Sequence, residues 1–209
     1  NDRAAYRAYG PALQEKGERA FGYDIWTKSV SEPVVEDRYD GDLNRGISYH
    51  VDHGNGMDCY AVGPTLGGGT AALFPDSTIV YPYCYKDCEV LDNGPLRFTT
   101  KLVYNPLVVK RDSNVIETRI ISLDKGSQLN KTVVSFDNLQ EITPVVTGIV
   151  LHKQNPTGYS FDANAGYIAY ADSTENAANN NGVIYIGAVF PANIKGALPQ
   201  MFSEKEQKE

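Results

Sequence analysis

The sequence is poor in the residues that most often advertise chemistry or covalent bracing. Its 209 positions hold only 3 histidines, 3 cysteines, 2 methionines and 1 tryptophan. Three cysteines allow one bridge and leave a thiol over, which excludes a disulfide framework. If YPYCYKDCEV is one extended strand, Cys84 and Cys88 lie roughly 13 Å apart, twice the span of a disulfide. Basic runs are also missing. With a formal net charge of −7 and a pI near 5.0, no nucleic-acid partner is expected, because phosphate contacts need clustered positive charge. A local Arg or Lys cluster can still hold an acidic sugar on an acidic protein. No apolar run reaches membrane-spanning length, and no charged-then-apolar leader opens the chain. The ends, NDRAAYRAYG and SEKEQKE, read as cuts in a longer precursor, so a missing leader says little about location.

What is present points to strands. GPLRFTTKLVYNP alternates Leu96, Phe98, Thr100, Leu102 and Tyr104 against Arg97, Thr99, Lys101 and Val103, a period of two. SNVIETRIISLDKG repeats the pattern, and QLNKTVVSF, ITPVVTGIVLH, GYIAYADS and GVIYIGAVF follow between Asp-Asn, Asn-Pro and Asn-rich breaks. Short connections without a helical period imply antiparallel pairing, and long strands are buried most economically by stacking one sheet on another. The expectation is an all-β, antiparallel two-sheet sandwich spanning residues 1–209 as one domain, with little helix. Residues 11–29, PALQEKGERAFGYDIWTKS, are the best helical stretch, weakened by Gly17 and Gly22. Residues 172–182, DSTENAANNNG, read as a polar loop.

The segment GISYHVDHGNGMDCYAVGPTLGGGT, residues 46–70, suits neither a core strand nor a helix. His50 and His53, with the cysteines, offer ligands for zinc, yet residues three apart on a strand point to opposite faces. Gly54 and Gly56 spoil the helical alternative, so a metal is not predicted. GPTLGGGT lacks the lysine and the strand–loop–helix setting of a phosphate cradle. A wall of a pocket for a polyhydroxylated ligand fits better: Tyr49, His50, Asp52, His53, Asp58 and Tyr60 donate and accept hydrogen bonds. YPYCYKD extends the theme by placing Tyr81, Tyr83 and Tyr85 on one strand face, and His152 ends an apolar strand. Most of the 14 tyrosines nonetheless read as half-buried strand residues.

Several phrases resemble a bacterial family catalogued as domain of unknown function 4861. They are YRAYGPAL, GYDIWTK, GISYHVDHGNGMDCYAVGPTLGGGTAAL, LDNGPLRFTTKLVYNPL and IETRIISLDKGSQLNKTVV, and the resemblance covers roughly residues 1–190. It implies a secreted or periplasmic protein of polysaccharide utilisation, encoded beside polysaccharide-degrading enzymes, especially those for uronic-acid-containing polymers. It also implies a galactose-mutarotase-like supersandwich with further β-rich sequence on either side. Under that resemblance, a lyase or dehydratase removing the C5 proton of a uronate needs a base, an acid and donors for the carboxylate. His53 is then the candidate base, Tyr60 or Tyr83 the acid, and Arg45 with His50 the carboxylate partners. Asp52 or Asp58 would orient a histidine, and His152 would approach from the opposite sheet. The alternative is a non-catalytic carbohydrate-binding module, in which Trp26, Tyr49 and Tyr85 stack on sugar rings. An epimerase using Glu89 or Glu117 shares the implied fold, but no motif singles those residues out.

Overall fold

The computed structural model describes residues 1–173, 181–191 and 194–198. The chain is all-β and antiparallel. Its strands are β1 (Ala4–Arg7), β2 (Asp24–Thr27), β3 (Met57–Asp58), β4 (Gly68–Leu73), β5 (Tyr85–Asn93), β6 (Arg97–Tyr104) and β7 (Leu107–Val109). They continue as β8 (Asp112–Asp124), β9 (Lys131–Asp137), β10 (Val145–Ile149), β11 (Tyr159–Asp162), β12 (Tyr167–Asp172) and β13 (Ile184–Val189). Among the described residues they hydrogen-bond in four groups: β1-β2-β3, β10-β4, β11-β12-β13, and β5-β6-β8 with β7 and β9 both on β8. The polar stretch at 172–182 lies largely outside the described residues.

Strand alternation sets the layers. On β6, Leu102 and Tyr104 are buried, and on β8 the buried positions are Val115, Glu117 and Arg119. Leu102 pairs with Arg119, so these residues share one face of the sheet. The Arg119 guanidinium lies 4.5 Å from the Tyr104 ring and 5.4 Å from Tyr23, and it donates to the Ala71 carbonyl of β4 at 3.2 Å. Glu117 accepts from Arg119 Nε at 2.5 Å. The largest sheet thus meets β4 through a buried ion pair rather than through aliphatic contact alone. A second core gathers Cys59, Tyr60, Val62, Ile184 and Ile186, with Ile25 and Ile149 packed against it.

Helix departs from the expectation in two places. The stretch 11–29 forms only α1 (Pro11–Glu15) and then turns into β2. Gly17 takes φ +78, ending the helix, and a Cβ at Gly22 would lie 2.2 Å from the Leu66 carbonyl carbon. The close packing that requires glycine there is long-range. Residues unread as helix form α2 (Val35–Arg45), closed by Gly46 at φ +69 in a left-handed cap. Its Arg38 is buried and donates to the Gly56 carbonyl, while Tyr39 packs on Trp26 with ring centres 5.3 Å apart. This helix sits over the face of the β1-β2-β3 sheet that carries the most polar buried residues.

Candidate functional site

The β1-β2-β3 sheet brings charged side chains together through its register. Arg7 of β1 is paired with Asp24 of β2, and Trp26 of β2 with Asp58 of β3. Directly opposed residues share a face, and so do residues two apart, so these four project to the side covered by α2. Arg7 forms an ion pair with Asp24 and another with Asp58 Oδ2 at 3.2 Å. It also donates to Tyr39 Oη at 3.1 Å and to Tyr9 Oη at 3.5 Å. Asp24 further accepts from the Ile25 N–H at 2.7 Å and the Trp26 indole at 3.2 Å. Burial opposes the charge on Arg7, but Asp24 and the surrounding tyrosines outweigh it and hold the guanidinium pKa above its ordinary value.

Over this buried floor lie Tyr49 and His50 from the loop after α2. Tyr49 packs on Trp26 at 5.0 Å and on Tyr39 at 5.4 Å, and its ring lies 4.5 Å from His50. Burial pushes the Tyr49 phenol up, and Arg7 pulls it back. His50 Nδ1 is 3.1 Å from the Asp58 carbonyl oxygen. A carbonyl only accepts, so Nδ1 carries the proton. The His50 side chain is 34% exposed and Arg7 28%, against 2% for Asp58 and 0% for Asp24. The result is a half-open rim of Tyr9, Tyr39, Tyr49 and His50 around a cation shared by two sealed carboxylates.

A second histidine–carboxylate pair occupies the far end of the same segment. His152 Nδ1 is 2.7 Å from Asp172 Oδ1, and Nε2 is 2.8 Å from the Ala61 carbonyl. Its own N–H donates to Tyr170 Oη at 3.0 Å. With both ring nitrogens set against acceptors, His152 clamps β12 to the chain at Ala61. Tyr60 packs its edge on this ring at 5.6 Å.

The remaining sequence-chosen residues are dispersed. Tyr60 is 2% exposed, and its hydroxyl donates to the Gly67 carbonyl at 2.9 Å and accepts from the Val150 N–H at 3.1 Å. Burial raises that phenol well above its ordinary value, so Tyr60 is a backbone brace rather than an accessible acid. His53 lies exposed at a loop tip with Nε2 3.0 Å from the Ser48 carbonyl. Asp52 accepts the Gly54 and Gly56 N–H groups at 2.8 and 3.0 Å, an Asx turn that closes the same loop. Arg45 pairs with Asp37 and Asp40 on the surface of α2. Tyr83 packs on Phe21 at 5.6 Å and donates to the Glu18 carbonyl, and Tyr85 lies against Gly10. Trp26 is 4% exposed and forms the floor beneath the tyrosines, not an open platform for a sugar ring. Of the expected set, Trp26, Tyr49, His50 and Asp58 converge around Arg7, and Tyr60 and His152 meet in a separate packing contact.

Arg7, Tyr9, Asp24 and Tyr39 escaped the sequence reading. Arg7 and Tyr9 lie in the YRAYG phrase, and Asp24 two positions before Trp26, but only strand register aligns them. Among the described residues no group of three or more His, Cys, Asp or Glu is placed to hold a metal ion. No helix among them is long and apolar enough to cross a membrane.

Fold and site together define an antiparallel all-β protein with a tyrosine-rimmed Arg–Asp–His cluster on a small side sheet. By sequence it belongs to the family described as Domain of unknown function (DUF4861), matched over residues 1–209. It is 29% identical over 181 residues to Uncharacterized protein P7 of Formosa agariphila. That match covers 83% of this chain and 44% of the relative, so the chain spans less than half the relative's length. No solved structure matches.

Proposed function

We propose that this chain handles uronic-acid-containing carbohydrate outside the cytoplasm, and that the Arg7–Tyr49–His50 cluster is where the sugar docks. The observation that carries the reading is His50: a half-open side chain held with Nδ1 3.1 Å from the Asp58 carbonyl and its ring 4.5 Å from that of Tyr49, which in turn packs on Tyr39. Proton abstraction at C5 of a uronate, with loss of the C4 substituent, is chemistry such a group performs. His50 takes the C5 proton. Tyr49 or Tyr39, each within the field of Arg7, returns one to the leaving oxygen. Arg7 is shared with two carboxylates and cannot give its whole charge to the sugar, so phenol donors supply the rest of the carboxylate's hydrogen bonds.

Incubation with a panel of polyuronides and oligouronides, followed by the ultraviolet absorbance of an unsaturated product, tests the reading. His50→Ala is expected to lower the rate about 10²–10⁴-fold, while His53→Ala keeps wild-type activity. The half-exposed aromatic rim favours a second reading, a non-catalytic carbohydrate-binding module. Binding without product in every case, abolished by Tyr49→Ala, would select it.

A further inference from the structure

The outer edge of the largest sheet carries the features of a pairing surface. Among the described residues β9 pairs with β8 alone, from Ile116–Asp137 to Ser122–Lys131, without a bulge. Its sequence, KTVVSFD, has no proline and no charge between its ends. Edge strands that stay unpaired are usually blunted by such devices. Alternate residues of β9 therefore direct N–H and C=O groups outward. Beside them runs an open groove of about 390 Å³, apolar at Val134, Phe136 and Ile142 and polar at Gln140, Glu141 and Thr143. Ile142 is fully exposed and Val145 54% exposed.

We propose that a second copy of this chain occupies this edge, with β9 pairing antiparallel to β9 about a two-fold axis at Val134. The ends of the strand carry the argument, because they make it complementary to itself. In this register Lys131 faces Asp137 of the second copy, twice by symmetry, on one face of the sheet. Directly opposed unlike charges are contacts that fix strand register. The product is one continuous sheet across both copies with the exposed edge removed, a closed two-fold assembly.

Sedimentation equilibrium across micromolar concentrations is the test. Wild type is expected to form a reversible dimer. Asp137→Lys sets lysine against lysine and is expected to weaken it about tenfold or more. The exchange Lys131→Asp with Asp137→Lys restores the complement and wild-type association. Val134→Cys in a Cys88→Ser background should oxidise to a disulfide-linked dimer, since opposed Cα atoms on paired strands lie about 4.5–5.5 Å apart. A wild-type chain that stays monomeric overturns the proposal, including one whose β9 amides resist exchange because something else covers them. Equal association by Asp137→Lys and the exchanged pair overturns it too, with circular dichroism showing that both fold.

Discussion

At the scale of single residues, chemistry follows from what each polar atom has already spent. The Tyr60 hydroxyl is consumed by Gly67 and Val150, joining the loop before β4 to the end of β10. Tyr60→Phe removes two hydrogen bonds, while the Val150 N–H still donates to the Gly67 carbonyl at 3.1 Å, and is expected to cost about 0.5–1.5 kcal/mol in urea unfolding. Turnover or sugar binding per folded molecule should not change, which separates a brace from a proton donor. The three histidines divide by the same accounting. His152 is set against acceptors on both nitrogens, His53 holds a loop tip, and His50 stands half-open with Nδ1 on the Asp58 carbonyl and its ring against Tyr49. Sequence spacing grouped His50 with His53 because they are close along the chain. Side-chain partners, which composition does not encode, separate them.

At the scale of elements, the loop from Gly46 to Gly56 positions the rim. Asp52 gathers the Gly54 and Gly56 N–H groups, and Arg38 of α2 holds the Gly56 carbonyl. Gly56 itself has φ +97, and a Cβ there would lie 2.1 Å from the Thr27 carbonyl oxygen, so the loop is pressed onto β2. The Gly56 N–H first of all, against the opposing effect of burial, holds the Asp52 carboxyl below its usual range. A carboxylate depressed in the folded state contributes stability above its unfolded value near 3.9, and that stability is lost as pH falls through the folded value. Asp52 is about half exposed, so solvent screens this effect, and Asp52→Ala should cost only about 0.5–1 kcal/mol at neutral pH, less as pH falls below about 3.9. Thermal melts of both proteins across that range measure the difference. Period-two patterning located β6, β8, β9, β10, β12 and β13, but not β7 and β11, which at 3 and 4 residues are too short to show alternation. It missed α2, whose sequence, VEDRYDGDLNR, is too polar to show an apolar stripe.

At the scale of the whole molecule, charge inside the core ties sheet to sheet. Arg119 links β8 to Ala71 of β4 and lies between Tyr23 and Tyr104, with Glu117 its ionic partner. Burial pushes the Glu117 carboxyl up, and Arg119 pulls it back. Arg119→Met alone strands a buried carboxylate and should destabilise the chain by about 3–5 kcal/mol. Adding Glu117→Leu removes the stranded charge and should recover most of that loss, as chemical denaturation of the single and double variants would show. If the single variant unfolds like wild type, the pair does not hold the layers together. Alternation on β8 favours burying the face that carries Ile116 and Ile120, yet the structure buries Val115, Glu117 and Arg119 and leaves Ile120 39% exposed. The inward face accepts charge because Tyr23 and β4 arrive from elsewhere to meet Arg119.

The sequence by itself determined the class of the fold. β-branched and aromatic residues at period two, with glycine and asparagine at the breaks, leave antiparallel sheets as the way to bury those faces. It does not place residues 46–70, whose mixture suits neither a core strand nor a helix, but where Cys59, Tyr60 and Val62 join the second core and β3 forms. Only tertiary structure decided which polar groups meet. Arg7, Asp24 and Asp58 come from three distant segments whose alignment exists only in strand register, and α2 adds Tyr39 from above. A local pattern sets the period of burial, whereas a site is a coincidence of long-range contacts that no local pattern carries.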